Sequence, residues 1–466
     1  MAGNFRIETD SLGDVQVADS AFYGAQTQRA LDNFPVSGER LPVEFIRAIV
    51  LIKKSAAEVN AELGLLTREQ AAAIVTACER VMEFSPQEYA LQFPLDIYQT
   101  GSGTSTNMNV NEVLAYIAQQ DCGVTVGAND HVNMSQSSND VIPTAIHVSA
   151  LLSVRDSLLP SLRHLQGELE KKARELEDVV KTGRTHLMDA VPMTLGQEIG
   201  AWAAQVAQCR ERLRSVMPRL AQLAQGGTAI GSGLNAPADF AELFAQRLSV
   251  NSMQQFRPAD NAFAAIATQD TAVELSGQLR VLAVTAMKIA NDLRWMNSGP
   301  LAGFAEIELQ ALQPGSSIMP GKVNPVIAES MAMVAARVMG NDATIGIAGQ
   351  SGNFQLNVML PLIAATLLDT IHLLASSTLL LADRAIATFT PKRANIERAL
   401  ARNPVLVTAL NPVIGYRRAA EIAKEAYRSG RPILDVAVEM TDIQPAELER
   451  LLDPANLAKG GIISRN

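Results

Sequence analysis

The sequence predicts an all-α chain organised around long helices, and three observations carry that prediction. Apolar residues recur at spacings of three and four along three stretches: Leu151, Val154, Leu158, Leu162, Leu165 and Leu169; then Trp202, Val206, Cys209, Leu213, Val216 and Leu220; then Leu275, Leu279, Leu282, Ala286, Ile289 and Leu293. That alternation is the buried seam of a helical bundle. No convincing strand run longer than a few residues stands out. Hydrophobic residues make up 48 % of the chain but aromatics only 5 %, so the core is expected to be Ala, Leu, Val and Ile.

Residues 1–138 read as a mixed, mainly helical domain, with turns, Pro-containing connections and shorter helical patterns at 43–63 and 68–84. Residues 139–392 read as the central long-helix bundle. Pro160 and Pro218 are positions where its helices kink or end. The run 360–382 is the most membrane-like, but Asp369 and His372 interrupt it, so a helix buried on all sides is expected rather than a bilayer span. The stretches 327–339 and 360–381 are apolar beyond one stripe. Their outward faces call for a second layer of helices, most simply from other copies of the chain. Residues 393–466 are more charged and turn-rich and read as a small C-terminal helical domain.

Composition narrows the partners. A formal net charge of −9 argues against nucleic acid, yet a negative chain still binds an acidic substrate where its few cations converge. Cys78, Cys122 and Cys209 form no CxxC pair and no metal-ligand spacing. Three thiols in a long chain, and a start without a basic-then-apolar leader pattern, fit the reducing cytoplasm.

Chemistry concentrates in four polar segments. Residues 315–325, GSSIMPGKVNP, place two serines, a lysine and an asparagine between glycines and ahead of a helix N-terminus, which suits an anion. Residues 99–109 and 129–140 are rich in Gly, Ser, Thr, Asn and Gln; each reads as a multi-donor cradle or as a solvated loop with a helix cap. Pro143 is placed in the first turn of the helix that follows the second of these. Residues 183–189 put His186 in a polar turn ahead of a helix with capping-box spacing at Thr194 and Gln197. A lone histidine is more often structural, but Glu329, on the helix after Pro325, is a carboxylate suited to an imidazole partner. No Walker A loop, Rossmann glycine pattern, HExxH or nucleophile elbow occurs. Cofactor-free, metal-free chemistry on a small polar anion is what these residues leave.

The loop GSSIMPGKVNP resembles the signature of the fumarase/aspartase superfamily. GSGTSTNMNVNEV, NDHVNMSQSSNDVIPTAIH, GRTHLMDAVPMTLGQE and GGTAIGSGLNAP are similar to class II fumarase segments, in the same order, and the resemblance covers nearly the whole chain. It implies a three-domain, nearly all-helical fold. Helices of a homotetramer would form a twenty-helix core, with active sites shared between subunits. It implies reversible hydration of fumarate to L-malate, with aspartate ammonia-lyase and a non-catalytic scaffold as alternatives.

Carried over residue by residue, Ser316 is the expected base and His186 with Glu329 the pair that handles the departing water. Lys322, Val323, Asn324 and Ser317 would hold the carboxylate that becomes the aci-acid. Ser102, Gly103, Thr104, Ser137, Ser138, Asn139 and Thr185 would bind the rest of the dicarboxylate. Asn129 and Asp130 match a secondary carboxylate-binding loop, where Gly127 replaces a frequent histidine and Met134 a frequent lysine. Ser105 and Thr106 resemble aspartases, whereas Ser137-Ser138-Asn139 and Gly321 take the fumarase form.

Overall fold

Good helix formers with apolar residues every third or fourth position dictate most of the architecture. The computed structural model describes residues 4–462, and the chain is 63 % helical. An antiparallel ribbon of β1 (Phe5–Asp10) and β2 (Gly13–Ala18) precedes α1 (Ala25–Asn33), α2 (Val43–Glu62), α3 (Arg68–Met82) and α4 (Pro86–Gln92). Capping boxes at Thr67–Gln70 and Ser85–Glu88 start α3 and α4, each satisfying backbone donors that a helix start leaves unpaired. Then come α5 (Thr104–Cys122), α6 (Ser138–Ser153) and α7 (Leu159–Glu175), and a second antiparallel ribbon of β3 (Val180–Thr185) and β4 (Met188–Thr194). The remaining long helices are α8 (Leu195–Leu220), α9 (Phe240–Ser252), α10 (Ala262–Ala267), α11 (Asp270–Met296), α12 (Val326–Gly349) and α13 (Leu360–Leu381). Short helices from α14 (Arg393–Ala401) onward close around a core of their own that includes Leu406, Leu410, Ile422, Val436, Leu448 and Leu451.

All eighteen seam residues named above are 0–2 % exposed. Burying a side chain of this size contributes about 1.5–3 kcal/mol, so these seams supply much of the drive to form the helices.

Two compact units emerge, and the long helices run through both. The first is built from residues up to Pro160, Glu211–Ala283 and Ala336–Ala375. In it α2 packs against α3, α6 and α9, and α5 against α3 and α6. The second is built from Ser161–Arg210, Val284–Ala335 and Ser376 onward. In it the β3–β4 ribbon packs against α14 and the turn at Pro404–Leu410. The run Leu360–Ile386 is long and apolar enough to cross a bilayer. Its Leu360, Ile363, Leu367, Ile371 and Leu374 are instead buried inside the protein.

The structure corrects the sequence reading in two places. Two six- and seven-residue ribbons exist where no strand was expected. Pro143 lies in the interior of α6, not in its first turn, because Ser137 and Asp140 cap that helix five residues earlier. Pro160 stands at a helix boundary, as the sequence suggests: a π-turn at Val154–Leu158 precedes it and it is the second residue of α7, where a missing N–H costs little.

Candidate active site

In the first unit, the site begins with the start of α6. The Ser137 hydroxyl accepts the Asn139 N–H at 3.2 Å, and the Asp140 carboxylate accepts the Ser137 N–H at 2.8 Å. Ser137, Ser138 and Asn139 therefore stand at the positive end of a 16-residue helix, where backbone N–H groups favour an anion. The other Asp140 oxygen accepts the N–H groups of Gly226 (3.0 Å) and Thr228 (2.9 Å), and the Asn139 amide donates to the Ala229 carbonyl at 2.9 Å. Burial pushes the Asp140 carboxyl up to about 7, against the pull of those three N–H donors and of Lys53. The 226–229 loop is thus bound to the α6 start.

The 101–104 turn joins the same cluster. Gly103 adopts φ +74, and a Cβ there would meet the Ile142 side chain at 2.9 Å, so glycine is required on both counts. At Gly101 a Cβ would fall 1.9 Å from the Val358 carbonyl oxygen, while the Gly101 carbonyl accepts the Leu360 N–H at 3.0 Å. Ser102 and Thr104 share a hydroxyl–hydroxyl bond of 2.9 Å. The helix α5 begins here, at Thr104. Ser105 and Thr106 spend their hydroxyls locally, on Thr100 (3.0 Å) and on the Gln99 side chain (2.7 Å). Asn129 and Asp130 are exposed on a π-turn, Ala128–Val132, whose Gly127 N–H is taken by the His131 Nδ1 at 2.9 Å.

In the second unit, His186 and Leu187 form a two-residue turn between β3 and β4, with Thr185 paired to Met188. Their φ angles are +56 and +60. Two successive positive φ values are the signature of the hairpin turn that matches strand twist. A non-glycine residue held there marks strain of order 1–3 kcal/mol, a frequent companion of function. The exposed Thr185 and His186 therefore sit on a rigid hairpin tip rather than in an irregular loop. Within the chain no hydrogen bond joins His186 to the half-buried Glu329 among the described residues.

An ion cluster anchors that hairpin. The Glu306 carboxylate, 3 % exposed, meets Lys181 Nζ at 2.9 Å and the Arg184 guanidinium at 2.7 Å, both on β3. Lys181 also bonds Glu198, and Arg184 lies 4.4 Å above the Phe304 ring. Burial alone would raise the Glu306 pKa, but the two cations outweigh it and hold the group below the usual carboxylate range. Behind the hairpin, Thr194 and Gln197 form the expected reciprocal cap at 3.0 and 2.9 Å.

The 315–325 loop is closed on itself. Gly315 N–H donates to the Lys322 carbonyl at 2.8 Å, and the Asn324 amide to the Gly315 carbonyl at 2.7 Å. A Cβ at Gly315 would meet the Lys322 carbonyl oxygen at 2.6 Å. The Ser316 oxygen accepts two backbone N–H groups, from Ile318 (3.2 Å) and Met319 (3.0 Å). Ser317 and Lys322 are exposed. Lys322, Val323 and Asn324 line a cleft of about 840 Å³ together with Arg294 and Lys392. Glu308 lines the same cleft and pairs with Lys392 at 3.4 Å, so the lining keeps a net positive charge that suits an acidic ligand.

The candidate residues thus fall into two groups. Ser102, Gly103, Thr104, Ser137, Ser138 and Asn139 form one cluster in the first unit, and Thr185, His186, Ser316, Ser317, Lys322, Val323, Asn324 and Glu329 belong to the second. Sequence reasoning missed Asp140, although the Ser-x-x-Asp spacing of a capping box was present, and it missed the ion cluster of Lys181, Arg184 and Glu306.

Residues 13–340 match the family described as Lyase, and residues 406–459 the Fumarase C C-terminus family. The chain is 59 % identical to fumarate hydratase class II 2 of Pseudomonas aeruginosa, over 98 % of this chain and 99 % of that one. It is 55 % identical to fumarate hydratase class II of Xylella fastidiosa, over 98 % and 96 % of the two chains. Among solved structures, the class II fumarase of Schistosoma mansoni superposes with a TM-score of 0.94 at 39 % identity, covering 98 % of this chain and 99 % of that one. A fumarate lyase:delta crystallin of Brucella melitensis gives 0.93 at 42 % identity, covering 98 % and 100 %. With family matches over most of its length and relatives this similar from end to end, the chain belongs to the lyase family of the class II fumarate hydratases, within the fumarase/aspartase superfamily.

Proposed function

We propose that this protein is a hydro-lyase that interconverts fumarate and L-malate by anti addition and elimination of water, in the cytoplasm and without a cofactor. Full-length identity to class II fumarate hydratases carries the reading. The difficult step is removal of a weakly acidic proton from the carbon beside a carboxylate. Charge then spreads into that carboxylate, giving an aci-acid, and fixed donors aimed at the developing charge are the main resource.

Ser316 takes that proton. A hydroxyl is a weak base unless its alkoxide is stabilised, and the two backbone N–H groups on its oxygen supply donors that strengthen as charge appears. Lys322, Asn324 and Ser317 hold the carboxylate that becomes the aci-acid, with Val323 beside them. Ser137, Ser138 and Asn139 use the α6 N-terminus for the other carboxylate, together with Ser102, Gly103 and Thr104. His186 with Thr185 receives the departing water, and Glu329 sets the imidazole's charge. Asn129 and Asp130 form a second carboxylate site. The chain works as a homotetramer in which three subunits contribute to each site, and the three-domain division at 138 and 392 belongs to this reading. Exposed apolar residues on α12 and α13 support it: Met333 is 68 %, Ile347 60 % and Leu380 48 % exposed in the single chain.

The aspartase-like pair Ser105-Thr106 does not favour the ammonia-lyase alternative, because both hydroxyls are spent on local partners. Ultraviolet absorbance of fumarate tests the choice directly. L-malate is expected to yield fumarate and L-aspartate none. Activity on aspartate alone would replace the assignment with an ammonia-lyase, and activity on neither would leave a scaffold.

A further inference from the structure

Beneath the α6 N-terminus lies a buried polar network that the chemistry above does not use. Lys53 of α2 is 0 % exposed. Its Nζ donates to the Asn133 Oδ1 at 2.9 Å and to the Gln136 Oε1 at 3.0 Å. Backbone carbonyls, which only accept, fix the orientation of both amides. Asn133 Nδ2 donates to the Gln136 carbonyl at 3.2 Å. Gln136 Nε2 donates to the carbonyls of Val132 (3.1 Å) and Met134 (3.0 Å).

The Asn133 Oδ1 must therefore face inward as an acceptor. Asn107 of α5, itself 0 % exposed, can meet it only with its NH₂ group, and does so at 3.1 Å. The second hydrogen of that NH₂ goes to the Ser138 Oγ at 3.0 Å. The Asn133 oxygen is thus a shared acceptor, taking Lys53, Asn107 and, at 3.3 Å, Asn111, and its fixed position sets which way the Asn107 amide faces Ser138. With its oxygen already accepting from inside, Ser138 has its own hydroxyl proton left for an outward acceptor. The Asn107 Oδ1 has no partner of its own. A buried amide that forgoes one bond to keep this orientation carries a penalty that a structural filler would not need to incur.

We propose that Lys53, Asn133 and Asn107 form an orienting hydrogen-bond relay, in which the fixed Asn133 oxygen sets the Asn107 amide and so turns the Ser138 hydroxyl into a dedicated donor for a substrate carboxylate, with Asn107 as the positioning residue. This rests on the reading of Ser138 as a carboxylate-binding residue. Lys53 acts by holding the Asn133 oxygen inward, since both it and Asn107 donate to that atom. Asn107 touches no substrate; it acts through Ser138.

A double-mutant cycle tests this in the full-length protein, with KM and kcat for fumarate measured beside melting temperature. Ser138→Ala is expected to raise KM about tenfold, the value of one donor to a charged group, with little change in kcat. Asn107→Leu is expected to raise KM several-fold when Ser138 is present and not at all in the Ser138→Ala background. A merely structural role would lower the melting temperature and leave the KM effects multiplicative, and that result would overturn the relay alone. An unchanged KM in Ser138→Ala would overturn the carboxylate reading of Ser138, and the relay with it. Should Asn107→Leu fail to fold, Lys53→Met removes a donor that holds the Asn133 oxygen inward and keeps Asn107. A smaller KM rise is expected, again absent without Ser138, and multiplicative behaviour again overturns the relay.

Discussion

Ser316 and His186 show how much of a residue's role is set by the backbone around it. Ser316 is held by two N–H donors of its own loop, and His186 by a hairpin turn that forces a positive φ. Asparagine tolerates that conformation better than most side chains, so His186→Asn removes the imidazole and keeps the turn. Turnover of malate is expected to fall by on the order of 10²–10⁴ in this variant and in Ser316→Ala, with unchanged circular dichroism. A near-normal rate in Ser316→Ala would rule that residue out as the base. Asp96 gives a pH prediction. Burial works against its ionised form, but the N–H groups of Tyr98, Ser37 and Gly38 outweigh burial and hold it below its ordinary value. A depressed folded-state value means the contribution is complete above the unfolded carboxylate range and is lost as pH falls through the folded value. Urea denaturation should show stability dropping below about pH 4, with a flatter profile in Asp96→Asn.

At the scale of elements, long helices were legible and ribbons were not. The seams of α6 to α8 and α11 announce themselves because burial there is achieved by apolar side chains at helical spacing. Strand β3 carries Lys181, Thr182, Gly183 and Arg184, and it is buried through ion pairing with Glu306 rather than through alternating apolar residues. Periodicity is blind to that. Lys53 was hidden for the opposite reason. It lies four residues after Ile49 and three before Ala56, on the buried stripe of α2, yet Lys53-Lys54 looks like a solvated face. The polar segments were legible as sites, because donors cluster there without apolar partners, but nothing in spacing told which would meet. The β3 anchor makes its own prediction. Glu306→Ala leaves the half-buried Arg184 without its carboxylate and Lys181 with Glu198 alone, and breaking a buried pair costs about 3–5 kcal/mol. Thermal melting should fall sharply, more than in Glu308→Ala, whose carboxylate is exposed.

For the molecule as a whole, the proposed tetramer ties catalysis to assembly. A charge placed on the outward apolar face of α12 opposes association without disturbing the buried side, since Met333 is exposed whereas Met331 and Ala335 are not. Met333→Glu is expected to shift the protein to smaller species in sedimentation velocity and to abolish most turnover in the same samples. Full activity in a dissociated chain would refute shared sites.

The two-residue turn at His186–Leu187 carries an evolutionary corollary. Facing residues are locked as Thr185 against Met188, and side chains on a ribbon alternate sides at every step. A codon inserted or deleted here would have to be absorbed by a different turn or by a second irregularity like the one between Thr182 and Arg184; otherwise it would turn the facing residues over and move the imidazole from its place.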